Sequence, residues 1–281
     1  MISVISEKEN HIKNIINLAI KEDRLSHDIT SRISLSKKFK CKVIVKSKGT
    51  GILYGIKVVK QIVKAIDKKI KIKIFKSDGS NLKNGTEVLS MNGKAQSILK
   101  CERIILNFLG HLSGVASETR KLVEKTKKYK TKICCTRKTL PGLRYLQKQA
   151  VKIGGGFNNR YNLEEEIFIK DNHHLDKLDF REKVVHVIKK NKENKIINVE
   201  VDNTNQLKKI IDLKINRILL DNFRPNFLRK ALKIIPVSIE TEASGNINPA
   251  NILNYAKTGV GRISLGYITH SVKNFNFSIE F

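Results

Sequence analysis

Between residues 131 and 265, short apolar segments recur at 131–135 (TKICC), 166–170 (EIFIK), 196–201 (IINVEV), 217–221 (RILLD), 237–240 (VSIE) and 262–265 (RISL), with helical segments between most of them. Short strands that alternate with helices point to a parallel sheet or barrel, because parallel neighbours must be joined by a crossover and a helix supplies it. Asn248-Pro249 reads as the start of one such helix, Asn as its cap and Pro in its first position. The first hundred residues follow another pattern. Ser6 and Glu9 have capping-box spacing, and Ile12, Ile15, Ile16 and Ala19 continue at helical period. Residues 40–46 alternate, with Cys41, Val43 and Val45 on one face. Residues 56–67 return to helical period through Ile56, Val59, Ile62, Val63 and Ile66, and residues 69–74 (KIKIKI) alternate again. Asp78-Gly79 and Asn84-Gly85 mark turns. Strands with one polar face suit an antiparallel sheet covered on one side. Residues 101–128 read as a long helix, apolar in its first half. No internal repeat or low-complexity linker separates the halves.

At 281 residues the chain suffices for one large α/β domain or two domains. Its formal charge of +29 suggests nucleic acid as a partner. Yet the excess is 43 Lys against 12 Arg, and the lysines are spread along the chain without a basic tail. Arg, not Lys, is the usual bidentate reader of bases, so no specific nucleic-acid binding is expected. Abundant Lys, Ile and Asn share AT-rich codons, which accounts for the charge and leaves only weak polyanion binding. No uncharged apolar run approaches the ~18–20 residues of a membrane helix, and residues 1–30 lack a secretory pattern. Cys41, Cys101, Cys134 and Cys135 form no C-x-x-C pair and read as reduced thiols of a cytoplasmic protein.

The polar residues of the second half fall where strands end. Segment 131–135 leads to Thr136-Arg137-Lys138, and 166–170 ends at Lys170 before Asp171, Asn172 and His173. Glu200 lies near the end of 196–201, and 217–221 ends at Asp221-Asn222. Segment 237–240 leads to Glu242, Ser244 and Gly245, and 262–265 to Gly266. In a β/α barrel these ends converge on one mouth. The set sorts by charge. Arg137, Lys138, Arg160 and Lys170 suit a polyanionic substrate. Glu200 and Asp221 suit Mg²⁺, which takes one or two carboxylates together with substrate phosphates. Ser244, Gly245 and Gly266 offer backbone N–H groups to a phosphate. The Gly154-Gly155-Gly156 run is not a dinucleotide fingerprint and reads as a tight turn with close packing.

In order and spacing, TRKTLPGLR (136–144), GGGFNNR (154–160), IKDNHH (169–174), VEV (199–201), LLDN (219–222), EASGNI (242–247) and SLGYITHS (264–271) resemble the quinolinate phosphoribosyltransferase family, the carboxylating nicotinate-nucleotide pyrophosphorylases. EDRLSHDITS (22–31), GILYG (51–55) and CERIILNFLGHLSGVAS (101–117) resemble its N-terminal segments. The resemblance implies an α/β fold. An N-terminal α/β sandwich domain (1–110) contributes to the neighbouring subunit's site. An open β/α barrel of the type II phosphoribosyltransferase kind (111–270) follows, and a C-terminal segment (271–281) returns to the first domain. It implies transfer of the phosphoribosyl group of phosphoribosyl pyrophosphate to quinolinate with decarboxylation, in NAD biosynthesis, with Mg²⁺ at Glu200 and Asp221. It implies a homodimer or a hexamer of dimers in which Arg103 is lent across the interface. It makes Lys138, Glu200 and Asp221 catalytic and adds Asn159, His173 and His270 to the substrate-binding set. His174 reads as an exposed loop residue.

Three positions depart from the family pattern. Asn159 stands where a His usually precedes Arg160, Cys135 where the strand before TRK usually ends in Asp, and Gly261 where Asp is usual. Asn159 is therefore expected to meet a substrate carboxylate with a neutral amide. Two alternatives remain: a paralogous phosphoribosyltransferase-like protein with another acceptor, separable by a panel of pyridine carboxylates, and a basic nucleic-acid-binding protein on the same scaffold, which would show steep salt dependence and no pyrophosphate release.

Overall fold

The computed structural model describes residues 2–173 and 179–281. His174 lies outside the described residues. The chain divides into two compact units, one of Met1–Arg120, Leu140–Gly155 and Val272–Phe281, the other of Lys121–Thr139 and Gly156–Ser271. The boundary read at 110/111 thus falls inside a helix, and the segment after the TRKT motif counts with the first unit.

The first unit holds α1 (Ile2–Glu22), α2 (Ile29–Ser34), β1 (Lys40–Ser47), β2 (Gly51–Ile52), α3 (Ile56–Ile66), β3 (Lys71–Ile74), β4 (Asn81–Leu82), β5 (Glu87–Lys94), the bulk of α4 (Ala95–Thr126), α5 (Arg144–Ile153) and a C-terminal strand, Phe277–Glu280. Helix α1 already runs at Ser6, so the expected capping box is not its start. The cap that does form belongs to α2, where the Asp28 carboxylate accepts from Ser31 N at 3.0 Å. The main sheet is antiparallel, in the order C-terminal strand, β1, β5, β3. Val43 and Val45 of β1 and Leu89 and Met91 of β5 are fully buried. They form one core with Val59, Ile62 and Val63 of α3 and Ile98, Ile105 and Leu109 of α4. Each such side chain contributes about 1.5–3 kcal/mol by leaving water. Strand β5 escapes a periodicity reading because Val88, Leu89, Ser90 and Met91 are buried in succession, on both faces. The glycine run closes α5 as expected. A Cβ on Gly154 would lie 2.5 Å from Ala116 O of α4, and Gly155 takes φ 90°.

The second unit alternates strands and helices: β6 (Lys132–Cys135), β7 (Phe157–Asn158), β8 (Ile167–Ile169), α6 (Phe180–Lys190), β9 (Ile197–Val201), α7 (Thr204–Lys208), β10 (Arg217–Asp221), α8 (Pro225–Leu232), β11 (Glu240–Ser244), α9 (Ile252–Ala256), β12 (Arg262–Leu265) and α10 (Tyr267–His270). The seven strands make one parallel sheet in the order β7-β6-β12-β11-β10-β9-β8. Asn159, just past β7, donates to Glu242 of β11 at 2.7 Å although two strands lie between them. In a flat sheet they would be roughly 14 Å apart, three strand spacings. The sheet is therefore curled into an open half-barrel, as the sequence leads one to expect.

Two segments differ from the sequence reading. The strand expected at 237–240 lies at Glu240–Ser244, and Val237 is fully exposed. The helix expected from Asn248-Pro249 becomes regular only at Ile252. Asn248 still caps the preceding turn, its Oδ1 accepting from Ala250 N at 2.9 Å.

Charged residues fill the start of the barrel strands. Arg217 Nε donates to Glu240 Oε2 at 2.7 Å and Arg217 Nη1 lies 3.4 Å from Glu166 Oε2. Lys132 and Arg262 also reach Glu240, at 3.2 and 3.4 Å. This ion-paired floor closes the end of the half-barrel opposite the strand C-termini.

Candidate active site

The strand C-termini surround one cavity of about 690 Å³, built wholly within the second unit. Arg137 and Lys138 enter it after β6, Asn159 and Arg160 after β7, Lys170 after β8, and Glu200 from the end of β9. Asp221 ends β10, Ser244 ends β11 with Gly245 next, Gly266 follows β12, and His270 lies on α10. Two expected residues are not part of the lining. His173 is exposed and its Nδ1 accepts from Lys170 N at 3.1 Å, which folds the turn that carries Lys170. Arg103 is an exposed residue of α4 in the first unit.

The cationic side centres on Phe168. Arg160 Cζ lies 5.0 Å and Lys170 Nζ 5.1 Å from its ring centroid. Arg160 is 9% exposed and donates from Nη1 to Glu166 O at 3.1 Å. Burial, reinforced by the like charge of Arg137, pushes its guanidinium below the ordinary arginine range. Arg137 Nε is buried with no acceptor in reach among the described residues. Such an orphaned donor fits an incoming carboxylate.

Glu200 and Asp221 form the anionic side; with Asp202, which is exposed and outside the lining, they each bring one carboxylate oxygen within 4.8 Å of the others. Lys170 Nζ reaches Glu200 Oε2 at 2.5 Å. Burial nevertheless holds Glu200 above the usual carboxylate range, with the Lys170 hydrogen bond opposing and Asp221 adding repulsion. Burial raises Asp221 too, with Lys170 opposing and Asp202 adding repulsion. Asp202 was not legible as part of the site: it stands one residue beyond its strand, and nothing marks it off from a solvated loop acid.

Asn159 lines the cavity and has protein partners at both ends of its amide. Its Nδ2 donates to Glu242 Oε1 at 2.7 Å and to Ser264 Oγ at 3.0 Å, and its Oδ1 accepts from Arg262 Nη2 at 2.6 Å. The amide is held by the barrel through both ends. Cys135 is buried with its thiol 3.0 Å from Asn158 Oδ1. Gly261 precedes β12, at the floor, where its N–H donates to Thr241 Oγ1 at 3.0 Å.

The arrangement can hold a compact polyanion between two guanidiniums while a cation between three carboxylates holds phosphate oxygens. The family model of the quinolinate phosphoribosyl transferase C-terminal domain matches residues 115–280, and that of the N-terminal domain matches 28–113. The chain is 35% identical over 277 residues to a probable carboxylating nicotinate-nucleotide pyrophosphorylase of Bacillus subtilis (strain 168), covering 96% of this chain and 94% of that one. It is 32% identical over 288 residues to a decarboxylating quinolinate phosphoribosyltransferase of Nicotiana glauca, covering 96% and 82%. The solved nicotinate-nucleotide pyrophosphorylase of Francisella tularensis superposes with a TM-score of 0.91 at 35% identity, over 96% of each chain.

Proposed function

The chain belongs to the quinolinate phosphoribosyltransferase family, and from that premise we propose how its own residues carry the reaction. The protein is a pentosyltransferase of NAD biosynthesis. It transfers the phosphoribosyl group of phosphoribosyl pyrophosphate to quinolinate with decarboxylation, giving nicotinate mononucleotide, pyrophosphate and CO₂. The observation that carries the residue assignment is the sorting of charge around one cavity, guanidiniums on one side and carboxylates on the other.

Quinolinate is a pyridine with two adjacent carboxylates. Arg137, through its orphaned Nε, and Arg160 bind them, with Lys138 adding charge, and so orient the ring nitrogen. That nitrogen attacks the anomeric carbon as the bond to pyrophosphate breaks. Backbone groups at Ser244, Gly245 and Gly266, with His270, receive the phosphates. Ribosylation makes the nitrogen cationic. The C2 carboxylate then leaves as CO₂, its bonding electrons remain on C2 beside that cation, and C2 takes a proton. Glu200, Asp202 and Asp221 fit Mg²⁺, because a cation among them relieves the repulsion and burial that raise Glu200 and Asp221. When bound, Mg²⁺ neutralises charge on the departing pyrophosphate.

Assay of CO₂ and pyrophosphate tests the reading. Equimolar release from quinolinate and phosphoribosyl pyrophosphate with Mg²⁺ is expected. Pyrophosphate release with another pyridine carboxylate but none with quinolinate overturns it.

The same reading makes the enzyme a dimer, or a hexamer of dimers, in which the partner's Arg103 completes the quinolinate side. The exposure of Arg103 on α4 supports it. Arg103→Ala and Lys138→Ala homomers are each expected to be nearly inactive, and a subunit-exchanged mixture to regain activity because one of the hybrid's two sites is intact. No recovery with exchange demonstrated removes Arg103 from the neighbouring site. We place the enzyme in the cytoplasm, supported by four free cysteines; no helix among the described residues is long and apolar enough to cross a membrane.

A further inference from the structure

Asn222 follows Asp221 directly, yet it is exposed and does not line the cavity. Its backbone takes φ 55°, a left-handed conformation that Asn tolerates better than most residues. Its side-chain amide and backbone N–H are engaged. Nδ2 donates to Asp221 Oδ2 at 2.5 Å, Oδ1 accepts from Asn246 Nδ2 at 3.0 Å, and the backbone N–H donates to Ser244 O at 2.9 Å. The chain of amides continues, with Asn251 Nδ2 donating to Asn246 O at 3.0 Å. The carboxamide also occupies the space beside Gly245. A Cβ there would fall 2.3 Å from Asn222 Oδ1, at a residue whose φ is 91°. Two loops from neighbouring strands are thus tied by one side chain, which holds a carboxylate on one side and a turn on the other.

We propose that Asn222 is a positioning residue that fixes the Asp221 carboxylate to the Ser244–Asn246 turn, so that the phosphate side of the cavity is preset as one unit, independent of the Arg137–Arg160 side. The proposal rests on the assignment of phosphates to this side. Held in register, the carboxylate and the turn receive a magnesium-bearing phosphate without first being ordered.

Asn222→Asp is the diagnostic change. Asp also tolerates the left-handed backbone and can still accept from Asn246, so the turn survives, but the amide donor to Asp221 is replaced by an acidic oxygen. Calorimetric titration of magnesium pyrophosphate and, separately, of quinolinate reads the two sides of the cavity. Weakening of magnesium pyrophosphate by about tenfold or more, with quinolinate affinity within twofold of the parent, is expected. Steady-state kinetics should show the matching rise in KM for phosphoribosyl pyrophosphate alone. Asn222→Gly, which suits the backbone but removes both contacts, should give the same split, and Gly245→Ala should cost less in that background than in the parent. Parent-like pyrophosphate affinity in Asn222→Asp, or equal loss of both ligands, overturns the proposal. If Asp221→Asn also leaves magnesium pyrophosphate binding untouched, the fault lies in the assignment of this side to phosphate rather than in the role of Asn222.

Discussion

Glu242→Leu is expected to destabilise the protein by about 3–5 kcal/mol, the cost of removing one partner from a buried charge cluster. Glu242 is 1% exposed, and its Oε1 accepts from Asn159 Nδ2 and from Ser264 Oγ, the latter at 2.5 Å. Its Oε2 lies 3.4 Å from Arg262 Nε and 3.8 Å from Arg217 Nη1, and both arginines are themselves less than 10% exposed. Leucine fills much of the volume but leaves these donors facing an apolar surface. Arg262 suffers most, because its Nε has no hydrogen-bond acceptor and Glu242 is the carboxylate beside it. Glu242→Gln keeps an acceptor oxygen and should cost about 1–3 kcal/mol, the range for an incompletely satisfied buried group. Asn159→Leu falls in the same range, since it removes one donor from Glu242 and the acceptor of Arg262 Nη2. Urea unfolding of the metal-free protein measures all three. A Glu242→Leu midpoint equivalent to less than 1 kcal/mol of loss would show that the floor tolerates an apolar core.

That cluster also explains what the sequence could and could not disclose. Strands β9, β10 and β12 were found within a residue because their apolar positions form nearly continuous buried runs, as expected of a covered parallel sheet. Strand β11 was displaced because Glu240, Thr241, Glu242, Ala243 and Ser244 offer almost no apolar signal. Its inward residues are paired with Arg217, Arg262 and Ser264 instead of aliphatic side chains, and only tertiary contact reveals them. The mouth was legible because Arg137, Lys138, Lys170, Glu200 and Asp221 each follow a recognisable strand end. Asn222 was named at its strand end, but its contacts with Asp221 and Asn246 were not legible, and Asp202 was not singled out, because its place beside Glu200 and Asp221 is set across neighbouring strands. Asn159 stands at the cavity, and its contacts with Glu242, Ser264 and Arg262 are ones that sequence position does not disclose.

Asp221→Asn should separate stability from activity. Burial is the main cause of the raised pKa of Asp221, with Asp202 and Asp171 adding repulsion against the pull of Lys170 and Lys138. A carboxyl whose folded pKa exceeds its unfolded value, about 3.9 for Asp, favours the fold at pH below that value. The favourable contribution is lost as pH rises through the folded pKa, so at neutral pH the ionised group is held at a cost. Asn removes that cost and can still accept from Asn222 through its amide oxygen. The metal-free variant is therefore expected to be at least as stable as the parent at pH 7.5, with its advantage shrinking toward pH 4. Activity should move the other way. If Asp221 is one of three carboxylates that hold Mg²⁺ against the departing pyrophosphate, as proposed, its loss should lower turnover by roughly 10²–10³-fold, the usual effect of removing one electrostatic contact to a transition state. Denaturation at both pH values and turnover across a Mg²⁺ series give the comparison. A variant that is markedly less stable at pH 7.5 would mean that Asp221 is a structural acid, and one with parent-like turnover would remove it from the phosphate side of the cavity.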